Sequence, residues 1–220
     1  METVVEGIVA DFDDDQYESL DLDDEDPRES ASSQDLAEVD DDADSDDADS
    51  DDDLDDLEDA DPEDVDFIVA AYREDGQSMV NALSEDLAND LDELILQLRR
   101  LPGDGGAIGL VSLVGEVAVI VRVRGRHVQL LLNDSAAAND WPIARDVADF
   151  LGEDIPEDDD DEAEPIGDLG ILKDLGLSEF DLSAMCEDFD LGSDQLLTEV
   201  ADKIKIGTQF RKVVDSEFGD

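Results

Sequence analysis

Charge is the feature that most constrains this chain, because its acids are clustered rather than spread. Residues 1–64 carry 32 Asp/Glu against one Arg, and residues 153–164 carry nine acids and no base. The four nets along the chain, −31 for 1–64, −7 for 65–152, −9 for 153–164 and −8 for 165–220, make up the formal −55. Like charges at that density repel one another. A segment with so few aromatics also buries too little apolar surface to offset an ordering cost of roughly 1–2 kcal/mol per residue. Residues 1–62, with the imperfect tandem DDADSDDADSDDD, are therefore expected to form a disordered acidic tail, and 153–165 an acidic linker. Between and after them stand an expected α+β domain at 63–152 and a helical module at 166–220.

The same charge excludes several classes of function. Duplex nucleic acid and anionic membranes would both meet the chain's own repulsion, so direct binding to either is not expected. No apolar run is long enough to span a bilayer, and the start METVVEG lacks the basic segment of a secretory signal. Cys186 is the single cysteine, so no intramolecular disulfide can form. A cytoplasmic protein is expected. The run Asp40–Asp56 has neither the glycine nor the closing glutamate of a calcium loop. PGDGGAIG leads from a helix into a strand, the reverse of a phosphate loop, and lacks Gly-Lys-Ser/Thr. A zinc deaminase site needs His and Cys ligands plus a proton-shuttling Glu, and His127 and Cys186 alone cannot supply the ligands. No catalytic residue, metal or cofactor is expected.

Local patterns define the elements. DFIVAAYR and QSMVNALS flank Asp75-Gly76, a type I′ hairpin signal. Ser84 reads as the N-cap of a helix whose apolar stripe is Leu87, Leu91, Leu94, Ile95 and Leu98, stopped by Pro102 and Gly103. Three strands follow, AIGLVSLV, EVAVIVRV and HVQLLLN, with Gly115-Glu116 and Gly125-Arg126 as type II′ turns. The second turn pairs Val123 with Val128, Val121 with Leu130 and Val119 with Leu132 on one apolar face. A helix capped by Asn139 or Asp140 takes Pro142 in its first turn, turns Ile143, Val147, Phe150 and Leu151 inward, and ends at Gly152. The order ββαβββα suits an antiparallel sheet with helices on one side. In the C-terminal module, Asp168, Ser178, Ser193 and Thr208 read as N-caps and Gly176 and Gly207 as helix stops. Leu182, Met185, Cys186 and Phe189, then Leu196, Leu197, Val200 and Ile204, form amphipathic stripes.

The candidate contact surface comes from the same hairpin. Three of the thirteen basic residues and the sole histidine crowd into VRVRGRHV, and the register sets Arg122 opposite Gln129 and Arg124 opposite His127. Arg122, Arg124, Arg126 and His127 thus line one face at one end of the hairpin. Three readings stay open: a solvated sheet face, a dock for the chain's own acidic tail or linker, and a contact for an acidic partner or phosphate. Trp141 is a further candidate partner contact, against the plainer reading of a staple on the sheet. Strand Asp66–Arg73, taken as an edge, could also pair across a two-fold axis into a homodimer.

One longer pattern adds to this. LLLNDSAAANDWPIARDVADFLG, followed by the acidic linker and GDLGILKDLGLSEFDL, resembles the actinobacterial tRNA adenosine deaminase-associated protein family, as do LRRLPGDGGAIGLVSL and VIVRVRGRHVQLLL. The resemblance spans about Val65 to Phe218 and leaves out the N-terminal acid tract. It implies association with the deaminase and brings no catalytic residues with it. The combined expectation is a non-catalytic accessory protein that binds and modulates or stabilises a tRNA adenosine deaminase. The competing expectation is a general acidic nucleic-acid mimic or chaperone for basic proteins.

Overall fold

The computed structural model describes residues 57–103, 105–156 and 164–219. Most of the expected tail, and residues 157–163 of the expected linker, lie outside the described residues. A six-stranded antiparallel sheet runs in the order β2-β1-β3-β4-β5-β6. Its strands are β1 (Val65–Glu74), β2 (Gln77–Ala82), β3 (Ala107–Leu113), β4 (Val117–Arg124), β5 (His127–Leu132) and β6 (Ile166–Gly167). Each of the first five is joined in space to its predicted neighbour, giving an α+β protein with the expected order ββαβββα. The β4–β5 register is the expected one residue for residue, including Arg122 with Gln129 and Arg124 with His127. Gly125 takes φ 60° in that turn, as a type II′ turn requires at its first central position. Asp75 (φ 50°) and Gly76 (φ 79°) likewise give the β1–β2 turn its expected left-handed pair.

Helices cover both faces of the sheet. On the first face lie α1 (Leu91–Arg100) and α2 (Pro142–Leu151), burying Leu94, Leu98, Ile143 and Val147 against Val119, Val121, Leu130 and Leu132. On the second lie α3 (Glu179–Cys186), α4 (Ser193–Lys203) and α5 (Gly207–Glu217), burying Leu182, Leu197, Val200 and Phe210 against Phe67, Val69, Leu110, Ile120 and Leu131. Phe67 and Phe210 meet edge to face with centroids 5.2 Å apart. The C-terminal helices are therefore the second cover of the sheet. This explains why every residue of β3, and all of β4 except Arg124, is buried. An antiparallel strand with one wet face would alternate.

Several local expectations are corrected. The helix predicted to start at Ser84 is a 3-10 turn, Glu85–Asn89, followed by α1. Asp90 is the true cap, accepting the Glu93 N–H at 2.8 Å. The β3–β4 turn centres on Val114 (φ 47°) and Gly115 (φ 68°), not on Gly115-Glu116. Trp141 occupies the N-cap of α2, and Phe150 is 51% exposed rather than inward. Gly192, not Ser193, caps α4, Ile206, not Thr208, caps α5, Gly207 opens α5 instead of ending α4, and Asp168 leads into a turn rather than a helix. Phe189, expected on a buried stripe, is 89% exposed. Strand Asp66–Arg73 belongs to β1, which is hydrogen-bonded on both sides by β2 and β3, so it offers no free edge for a dimer.

Within the expected tail, Ala60 is buried and clasped by Asn89, whose side chain accepts the Ala60 N–H at 2.8 Å and donates to its carbonyl at 3.1 Å. Within the expected linker, the Pro156 carbonyl accepts from Asn139 Nδ2 at 3.0 Å and that of Glu164 from the Ser135 N–H at 3.0 Å. At one end of the sheet a small polar cluster ties the second helical layer down. Asp66 accepts from the Ser112 hydroxyl at 2.8 Å and the Gly115 N–H at 2.7 Å. The hydroxyls of Ser112 and Ser193, both buried, lie 2.7 Å apart, and the Ser193 N–H reaches the Gly115 carbonyl.

Candidate functional site

The basic residues gather at the opposite end, on the second face, at the margin of the helical layer. Alternation along each strand decides which side chains arrive there. Phe67, Val69 and Ala71 of β1 face the second core, so Arg73 follows them outward; Ala118 and Ile120 of β4 do the same for Arg122 and Arg124. Pairing then arranges two rows across the sheet. The inner row joins Val80, Ala71, Ile108, Arg122 and Gln129, and the outer row ends on Ser78 with Arg73 at one side and Arg124 with His127 at the other.

Between Arg73 and Arg124 the outer row holds no side chain. Gly106, at φ 77°, precedes β3 there, and a Cβ on it would collide with the Val123 carbonyl oxygen. The result is a concavity of about 470 Å³. Arg73, Arg122, Arg124 and Ser78 supply its polar wall, Gly105 and Gly106 its floor, and Ile108, Ile204 and Ile206 its apolar side.

The three arginines differ in state. Arg122 is 3% exposed, and its guanidinium donates to Asp174 Oδ2 at 2.7 Å, to Asp174 Oδ1 at 2.5 Å and to the Ile171 carbonyl at 2.5 Å. Its Nε has no hydrogen-bond partner among the described residues. The Arg122 hydrogen bond is the largest influence holding the Asp174 carboxyl below its ordinary range, with burial opposing it. Arg124 is exposed, stands 4.0 Å from Asp174, and donates to Gln129 Oε1 at 2.6 Å; Gln129 in turn donates to Asp168. Arg73 is exposed and makes no ion pair among the described residues.

The predicted contact residues are thus divided by the fold. Arg122 is buried, and of the predicted bases Arg124, Arg126 and His127 reach solvent. The acid that meets Arg122 comes from the helical module, not from the tail or linker. Trp141 is half-buried against the first core, at the far face. Arg73 was missed by sequence reading. It lies about 50 residues from the hairpin, and only the β1–β3–β4 pairing brings it within about 10 Å, two strand spacings, of Arg124.

Among the described residues no group of three or more His, Cys, Asp or Glu is placed to hold a metal ion, and no helix is long and apolar enough to cross a membrane. Burial pushes the Cys186 thiol up to about 11, which leaves it a poor nucleophile. Comparison with known proteins supplies the remaining evidence. Protein Rv3753c of Mycobacterium tuberculosis (strain ATCC 25618 / H37Rv) is 35% identical over 151 residues, covering 68% of this chain and 87% of its own length. No solved structure matches the chain. The family model for Rv3753c-like tRNA adenosine deaminase-associated proteins matches residues 66–207, which takes in the whole sheet and both helical layers up to the start of α5, and the chain belongs to that family.

Proposed function

We propose that this protein is a non-catalytic accessory that binds a tRNA adenosine deaminase and modulates or stabilises it. The observation that supports the reading is membership of a family described as tRNA adenosine deaminase-associated. The charge pattern gives it a physical form. A protein that grips tRNA presents a basic surface, and acidic blocks of −31 and −9 complement such a surface electrostatically. Phe180 and Phe189, 82% and 89% exposed on the C-terminal module, offer aromatic anchors of the kind that carry interface energy.

The test is co-purification with the deaminase at low and high salt, with and without residues 1–56, a cut that leaves the buried Ala60 in place. The proposal expects one dominant partner, with affinity that falls steeply as salt rises and drops when 1–56 is removed. Recovery of many basic proteins with no dominant one would favour the general acidic mimic. Failure to retain the deaminase at low salt would refute the reading. Salt-insensitive binding that survives the deletion would move the contact to the folded body, where Phe180→Ser and Phe189→Ser should then weaken it.

A further inference from the structure

We infer that the concavity between Arg73 and Arg124 is a binding site for a small organic phosphomonoester. The argument starts from charge. In a chain with 68 acids and 13 bases, three guanidinium groups line one cavity and, among the described residues, a single carboxylate, Asp174, joins them. That carboxylate is spent on Arg122, which it meets through both oxygens, and it stands only at the 4.0 Å limit from Arg124. Among the described residues the cavity therefore keeps a surplus of two positive charges, borne mainly by Arg73 and Arg124. A phosphomonoester carries about −1.5 to −2 near neutral pH, so it matches that surplus where a single carboxylate does not. Guanidinium groups approaching from two sides also suit three terminal oxygens, since each fork donates two parallel N–H groups.

Shape supports the same class. Gly106 keeps the floor between the two arginines bare, and the strand spacing sets them about 10 Å apart, wide enough for a phosphate between their side chains. The hydroxyl-bearing Ser78 stands on the β1–β2 side as a further donor. Ile108, Ile204 and Ile206 give an apolar wall for the organic part, so inorganic phosphate alone would leave much of the 470 Å³ cavity unused. The acidic blocks do not forbid this. At physiological salt, interactions beyond about 8 Å are largely screened, and the arginines decide what happens at the contact itself. This site is independent of any contact with the deaminase.

The experiment is calorimetric titration of the full chain at physiological salt with phenyl phosphate, inorganic phosphate and benzoate as probes. Phenyl phosphate is expected to bind at one site per chain, with inorganic phosphate and benzoate each roughly tenfold weaker or more. Arg73→Gln and Arg124→Gln should each weaken phenyl phosphate by roughly tenfold, and the pair together should abolish it. Arg100→Gln, on a helix of the other face, should leave it unchanged. Arg73 and Arg124 are solvent-exposed, so an unchanged melting temperature in both variants shows that the loss is not unfolding. The inference is overturned if no probe binds, if benzoate binds as tightly as phenyl phosphate, or if the double variant keeps its affinity.

Discussion

Asp174→Ala tests how the second helical layer is held to the sheet. The substitution leaves the Arg122 guanidinium, whose side chain is 4% exposed, with the Ile171 carbonyl as its remaining acceptor. Removing one partner of a fully buried pair costs about 3–5 kcal/mol, and removing a surface pair about 0–1. This pair lies between, because the Asp174 side chain is 56% exposed and solvent screens it. A loss of about 2 kcal/mol is expected. With a urea slope of about 2 kcal/mol per molar, the unfolding midpoint should fall by about 1 M at constant slope. Adding Arg122→Met should recover most of it, since a methionine of similar length removes the orphaned charge and packs in the same gap. Acid should reproduce the effect in the intact protein. The Asp174 carboxyl is held below its ordinary 3.8 by Arg122, so its contribution is complete above 3.8 and disappears as pH falls through the lower folded value. Variant and parent should then converge. A midpoint shift below about 0.3 M, or a double variant no more stable than Asp174→Ala, would refute the account.

Three further outcomes follow from local geometry. Val114→Asn should raise the melting temperature, because a β-branched residue at φ 47° and 40% exposure carries about 1 kcal/mol of backbone strain that asparagine tolerates; a fall would place the strain elsewhere. Cys186, with its thiol raised to about 11, should react with iodoacetamide far more slowly in the native chain than in urea at mildly alkaline pH. Burial is the main cause that raises the Asp146 carboxyl above 3.8, with Asp90, Asp149 and Asp92 adding repulsion, although it accepts the Leu91 N–H at 3.1 Å. Its ionised form therefore weighs against folding above that raised value. Asp146→Asn keeps the acceptor and should raise the neutral-pH melting temperature, a gain that vanishes below pH 3.8.

What could be read from the sequence was whatever neighbouring residues determine. Gly125-Arg126 and the alternation on either side of it specify the β4–β5 register, because a slip of one residue would turn Val119, Val121 and Val123 to the wrong face. The second helical cover was legible in principle. AIGLV and VAVIV do not alternate, and an unbroken apolar run in an antiparallel strand means both faces are dry. With that in hand, Arg122 in the midst of such a run could only be a buried cation in need of an acid. Which acid was not legible. Asp174 is 52 residues away and one of 68 carboxylates, and only the folded helical layer singles it out. Asp90 was overlooked as a cap for a different reason: Ser84 has the better local signature, but the chain between them tightens into a 3-10 turn before the helix begins.

The double cover has a bearing on synthesis. A nascent chain that has emerged as far as Leu151 holds five strands and one helical layer, yet Phe67, Leu110, Ile120 and Leu131 still lack the helices that shelter them. The greasy side of the half-built sheet is not fully covered until Phe210 leaves the ribosome. Fragments that stop short of α5, whether made by premature termination or by proteolysis, should therefore clump rather than persist as smaller soluble proteins.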